Sequence, residues 1–194
     1  MKCLVQQSAI LLVLPILLQL QGCPAAIVAG GAAGGAVAYD RRSAGTFVED
    51  QAFELKARDA IYSSPQFEQN SHINVTSINN KVLLTGQVPD EKRRELASVL
   101  VRQVEPEIVI YNQLEIGVPS TLKERSADAW LTTKVKSRIL GVRGIEGSHI
   151  KVISENSVIY LMGLASRSET EDAIYVAKRT SGVKKIINLI EYID

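Results

Sequence analysis

The chain has 194 residues, with 22 basic and 21 acidic side chains and a formal net charge of +1. That balance excludes a global electrostatic case for nucleic acid, so a charged partner has to be met by a local patch. The only cysteines are Cys3 and Cys23, too few for a disulfide framework or a thiolate-built metal site.

The first segment is a leader. Lys2 precedes an apolar run from Leu4 to Leu20, closed by Gln21-Gly22-Cys23. A basic start, an apolar stretch and a small residue before a cut form a secretory signal peptide over 1–22. The stretch resembles the bacterial lipobox, although Gln21 stands where Ala, Ser or Thr is commoner. The resemblance implies cleavage before Cys23 and its acylation by palmitate-type chains, which together give lasting attachment where a single chain would not. Pro24 in place of the inner-membrane retention Asp implies the outer membrane, through its inner leaflet. The alternatives are an ordinary export signal or an uncleaved anchor, against which stand Pro15, Gln6, Gln7 and a barely sufficient length.

Residues 23–46 form the next object. Residues 24–38 are small, uncharged and rich in Gly and Ala. They read as a flexible tether or as a glycine-spaced strip that packs on the membrane or another helix. Arg41 and Arg42 end it within reach of headgroups.

The remainder is duplicated. Ser71-His72-Ile73-x-Val75 recurs as Ser148-His149-Ile150-x-Val152, and Val82 to Gly86 recurs as Ile159 to Gly163, both 77 positions on. Asn112-x-x-Glu115 recurs as Asn188-x-x-Glu191 at an offset of 76. Phe53, Ala57 and Ile61 match Leu131, Val135 and Ile139 at an offset of 78; each trio is one helical stripe. In the first repeat a helix is expected over 48–62, then strands over 72–77 and 81–88 around the turn pair Asn79-Asn80. Pro89-Asp90 opens a helix over 90–104, and a strand covers 108–116. In the second, a helix capped by Ser126 covers 126–140, strands cover 149–154 and 157–165, a helix covers 167–180 before Gly182, and a strand covers 184–193. The expected class is α+β: two tandem αββαβ domains, 47–117 and 126–194, joined by a linker over 118–125. Each has a three-stranded sheet with two helices on one face. Units this small are marginal alone, so the pair is expected to pack together.

The repeat resembles the BON domain, with the strand patterns ending in Gly86 and Gly163 as its mark. Further segments, INVT at 73–76, KVLLTGQ at 81–87 and DAWLTTKVKSRIL at 128–140, resemble lipoproteins that carry two such domains. This implies phospholipid binding, a periplasm-facing position, a role in outer-membrane integrity and an association with the division site.

No catalytic constellation is present: there is no HExxH, P-loop or GxSxG, and no cofactor or metal is expected. His72 and His149 sit at equivalent places and read as strand-opening residues, with Ser71 and Ser148 beside them. The mixed-charge run Glu91 to Glu95 reads as a solvated face. Gly86 and Gly163 read as places where a helix approaches a strand closely.

The helix over 126–140 differs. With Trp130 at zero, the core trio Leu131, Val135 and Ile139 lies at about 100–180° for 100° per residue. Trp130, Thr133, Ser137 and Leu140 fall on the outer side, with Lys134, Arg138 and Lys136 around them. An indole and a leucine ringed by cations suit a bilayer interface of anionic phospholipid such as phosphatidylglycerol or cardiolipin. The first repeat carries Ala52 at the Trp130 position and Ala60 at the Arg138 position. The competing reading places Trp130 between the two repeats. The rival function is a periplasmic adaptor for an envelope protein, engaged by strand addition at the edge over 184–193.

Overall fold

The computed structural model describes residues 44–145 and 149–193. The expected signal peptide, Cys23, residues 24–38 with Arg41 and Arg42, and Ser148 lie outside the described residues. The described residues fall in one compact unit.

The described elements are α1 (Ala44–Tyr62), β1 (His72–Ile78), β2 (Lys81–Val88), α2 (Glu91–Val104), β3 (Val109–Ile116), α3 (Leu122–Leu140), β4 (Ile150–Glu155), β5 (Val158–Ala165), α4 (Arg167–Lys178) and β6 (Lys185–Tyr192). Each half is αββαβ. In each sheet the second strand is central, antiparallel to the first and parallel to the third. The parallel pairs need a crossover, and α2 and α4 supply it.

Two helix ends differ from the sequence expectation. The first helix already covers Ala44, taking up residues assigned to the tether. The helix α3 begins four residues before its expected start. Thr121 is the N-cap, its hydroxyl accepting from the Glu124 N–H, while the Glu124 side chain accepts from the Thr121 N–H at 2.7 Å. This reciprocal box satisfies two otherwise unpaired donors. Ser126, expected as the cap, instead donates its hydroxyl to the Leu122 carbonyl inside the helix at 2.8 Å. The Thr121 hydrogen bonds hold the Glu124 carboxyl below the usual range.

Each domain closes its own core between helices and sheet. Ala57, Ile61, Phe67, Ile73, Val82, Leu84 and Val101 fill the first; Leu131, Val135, Ile139, Ile150, Ile159 and Leu161 fill the second. The other sheet faces meet each other. Ile78 and Leu83 pack with Tyr160 and Met162 in a third cluster. The order is therefore helices, sheet, sheet, helices, and the expected packing of the two repeats is present. It explains why Val82 to Leu84 and Ile159 to Met162 are apolar on consecutive residues rather than alternate ones: the central strands are covered on both faces. Burial pushes the Tyr160 phenol up to about 12, assisted by Glu115 and Glu155.

Polar ties across the interface follow the repeat. Asn79 Nδ2 donates to Glu191 Oε2 at 2.9 Å, and its counterpart Asn156 Nδ2 donates to Glu115 Oε2 at 3.1 Å. Each hairpin turn thus holds the last strand of the other domain. The buried Glu155 accepts from Asn74 Nδ2 at 3.1 Å and Gln87 Nε2 at 2.8 Å. Gln87 also accepts the linker N–H of Ser120 at 2.8 Å, and Lys151 reaches Glu54 at 3.0 Å.

The two signature glycines have a different role from the one expected. Gly86 has φ +118° and Gly163 has φ +139°. A Cβ on Gly86 would lie 1.9 Å from the His72 carbonyl oxygen, and one on Gly163 would lie 1.9 Å from that of His149. The close approach is by the neighbouring strand, not by a helix. The two histidines matter here through their backbone, where their strands open.

Candidate functional site

A helix becomes a surface only when something fixes which face it shows. On α3 that work falls to Leu131, Val135 and Ile139, all buried in the core, and to Asp128. The Asp128 carboxylate accepts the N–H groups of Asn156 at 2.8 Å and Ser157 at 2.9 Å. Those two residues take positive φ, 49° and 64°, in the β4–β5 turn. In the first domain Asp50 holds the equivalent turn through the Asn79 N–H and the Ser77 hydroxyl. The pair is an aspartate clamp that locks helix rotation to the hairpin. Sequence reasoning missed it, although an Asp recurring at an offset of 78 while its neighbours diverge was the available signal.

The opposite side of α3 faces water. Trp130 is 70 % exposed and Leu140 54 %. The competing placement of Trp130 between the repeats is therefore excluded: the interface is filled by Ile78, Leu83, Tyr160 and Met162. Thr133, Lys136, Ser137 and Arg138 are exposed beside Trp130 and Lys134 is half-buried. The Thr133 hydroxyl is taken up by its own helix, donating to the Ala129 carbonyl at 3.1 Å.

Two of the three cations are turned sideways. Lys134 Nζ donates to the Ser181 carbonyl at 2.9 Å, and Arg138 donates to the Arg179 carbonyl at 3.0 Å. These carbonyls lie just past the C-terminus of α4, where a positive charge is favoured. Both side chains pin α3 to α4 while their charge stays at the surface.

The early start of α3 adds residues that sequence reasoning missed. Leu122 is 77 % exposed and falls on the same outward line as Leu140, about 27 Å away along the axis at 1.5 Å per residue. Lys123 and Arg125 are exposed in the same added turn. The helix carries five basic residues against two acids, and both acids are engaged, Asp128 in the clamp and Glu124 in the cap. The missed signal was Thr121-x-x-Glu124 itself.

A cleft of about 410 Å³ lies on the first domain beside Ala52, Phe53, Lys56, Val104 and Ile108. Among the described residues no group of His, Cys, Asp and Glu is arranged to hold a metal ion. No described helix is long and apolar enough to cross a membrane.

Comparison with known proteins gives a consistent picture. The family model described as the BON domain matches residues 49–117 and again 127–194. The chain is 37 % identical over 175 residues to the outer membrane lipoprotein DolP of Haemophilus influenzae, covering 90 % of this chain and 91 % of that one. It is 35 % identical to a 21 kDa hemolysin of Actinobacillus pleuropneumoniae over 80 % of each chain. It is 24 % identical to the osmotically inducible protein Y of Escherichia coli, over 80 % of this chain and 79 % of that one.

Proposed function

The chain belongs to the BON-domain family, and on that premise we propose that it binds anionic phospholipid through the outward face of α3. It is a DolP-like outer-membrane lipoprotein with two BON domains. In our reading acyl chains on Cys23 hold it to the inner leaflet, and the second domain then samples that leaflet as a tethered ligand. The observation that carries the reading is the 70 % exposure of Trp130, between two exposed leucines and among cations. An indole at headgroup depth contributes its apolar area, and each nearby cation contributes about 1 kcal/mol on an anionic surface. The sum is weak, reversible binding, made effective because the anchor raises the local concentration. Recognition of anionic patches is the proposed route to a role in outer-membrane integrity and at division sites. The protein acts without catalysis in this account.

The test is flotation of residues 39–194 with liposomes with and without phosphatidylglycerol, beside Trp130→Glu. Flotation that requires the anionic lipid and is lost in a folded Trp130→Glu variant is the expected result. Flotation unchanged by the substitution, or none, removes α3 as the lipid reader. The adaptor reading then leads: among the described residues β6 is an edge strand, paired with β5, and Tyr192 at its end is exposed.

A further inference from the structure

The α3 face continues onto a second helix. Trp130 is one turn from Lys134, which reaches Ser181; Arg138, one turn further, reaches Arg179 and, at 3.4 Å, the Thr180 hydroxyl. Arg179 turns its own guanidinium over the Tyr175 ring, 5.3 Å from the centroid. Tyr175 is 60 % exposed and Arg179 is exposed. The result is a strip from Trp130 through two bound cations to an outward cation–aromatic plate on α4.

We infer that Tyr175 and Arg179 form a second contact for the anionic phospholipid headgroup, with Arg138 as the positioning residue that ties it to α3. The inference rests on the lipid-binding reading of α3. Its chemistry follows from what each group has left to give. Lys134 and Arg138 have donors committed to backbone carbonyls. Arg179 is held at its backbone, and its exposed guanidinium matches a phosphodiester in two-point geometry. Tyr175 has an apolar ring and a polar tip, the form that settles at a bilayer interface. Glu171 and Asp172, one turn N-terminal on α4 and exposed, set the limit of the surface.

The first domain supplies an internal contrast. At the equivalent positions it carries Ala52 for Trp130, Ala60 for Arg138, Val99 for Tyr175 and Gln103 for Arg179. Four positions on two helices differ together, and in the folded second domain they lie along one strip.

The experiment uses the single tryptophan of the chain. Residues 39–194, whose described part closes its own cores, are titrated with vesicles of phosphatidylcholine and phosphatidylglycerol while Trp130 emission is followed. The expected wild-type result is a blue shift. Tyr175→Ser with Arg179→Gln is expected to require about tenfold more lipid, taking roughly fivefold from the lost cation, with the same shift at saturation. Arg179→Lys restores most of the affinity. Arg179→Glu, with one exposed side chain changed, gives a larger loss and serves if the double variant does not fold by circular dichroism. A wild-type blue shift with unchanged titration in the double and Arg179→Glu variants overturns the second contact and leaves the α3 reading standing. No wild-type blue shift overturns the α3 reading, and this inference with it.

Discussion

The first helices of the two domains, α1 and α3, occupy equivalent places and face water differently. Inward they agree: Phe53, Ala57 and Ile61 stand where Leu131, Val135 and Ile139 stand, and Asp50 and Asp128 clamp the same turn. Outward they part. The α1 helix has four acids and two bases, with Ala52 and Ala60 where α3, with five bases, has Trp130 and Arg138. Inward positions answer to a close-packed interior, in which a change of one methylene is felt. Outward positions are free of that constraint, so a duplicated domain acquires new chemistry there without losing its fold.

The comparison breaks first at the positions the repeats share. Gly86→Ala and Gly163→Ala should each cost upwards of about 3 kcal/mol, because positive φ and overlap with a backbone carbonyl add. Thermal denaturation should show equal losses, and one tolerated substitution would mean that the two sheets are not built alike. Next is the shared interface. Leu83→Ala, at a buried position, should cost about 2–4 kcal/mol. NMR relaxation should show the halves tumbling more independently in this variant, whereas Trp130→Ala should change stability by no more than about 0.5 kcal/mol. The difference in surface can then be transplanted. Ala52→Trp with Ala60→Arg in α1 should raise vesicle affinity by about fivefold, one cation's worth; no gain would locate the function in the orientation of the domain rather than in the helix.

The smallest effect is in the polar ties. Lys81 first, and then Asn79, holds the Glu191 carboxyl below its ordinary value of 4.5. A folded-state value below the unfolded one contributes stability above about pH 4.5, and that contribution is lost as pH falls through the folded value. Glu191 is more than a third exposed, so the contribution is no more than about 0.5 kcal/mol after screening. Urea titrations at pH 6 and pH 3.5 should show Glu191→Gln flattening the acid limb by that amount; an unchanged limb would assign it to other carboxylates.

The class of fold, its doubling and the outward helix face are legible in local patterns of the chain. Helical and strand periodicities, the offset recurrences and the turn pairs are local and need no knowledge of what packs where. They placed Trp130, Lys136 and Leu140 on a common outer side, where the fold has them. Helix starts were also legible, since Thr121-x-x-Glu124 was present to be read. Other features depend on contacts between distant parts of the chain. That Trp130 faces water rather than the other domain depended on which sheet face Leu83 and Tyr160 would cover. That Gly86 is crowded by a strand depended on pairing with Ile73. Lys134 and Arg138 met α4 because a distant helix ends beside them, and Tyr175 joined the strip for the same reason. Contacts between residues some forty positions apart arise from chain closure around a core, and no local pattern encodes them.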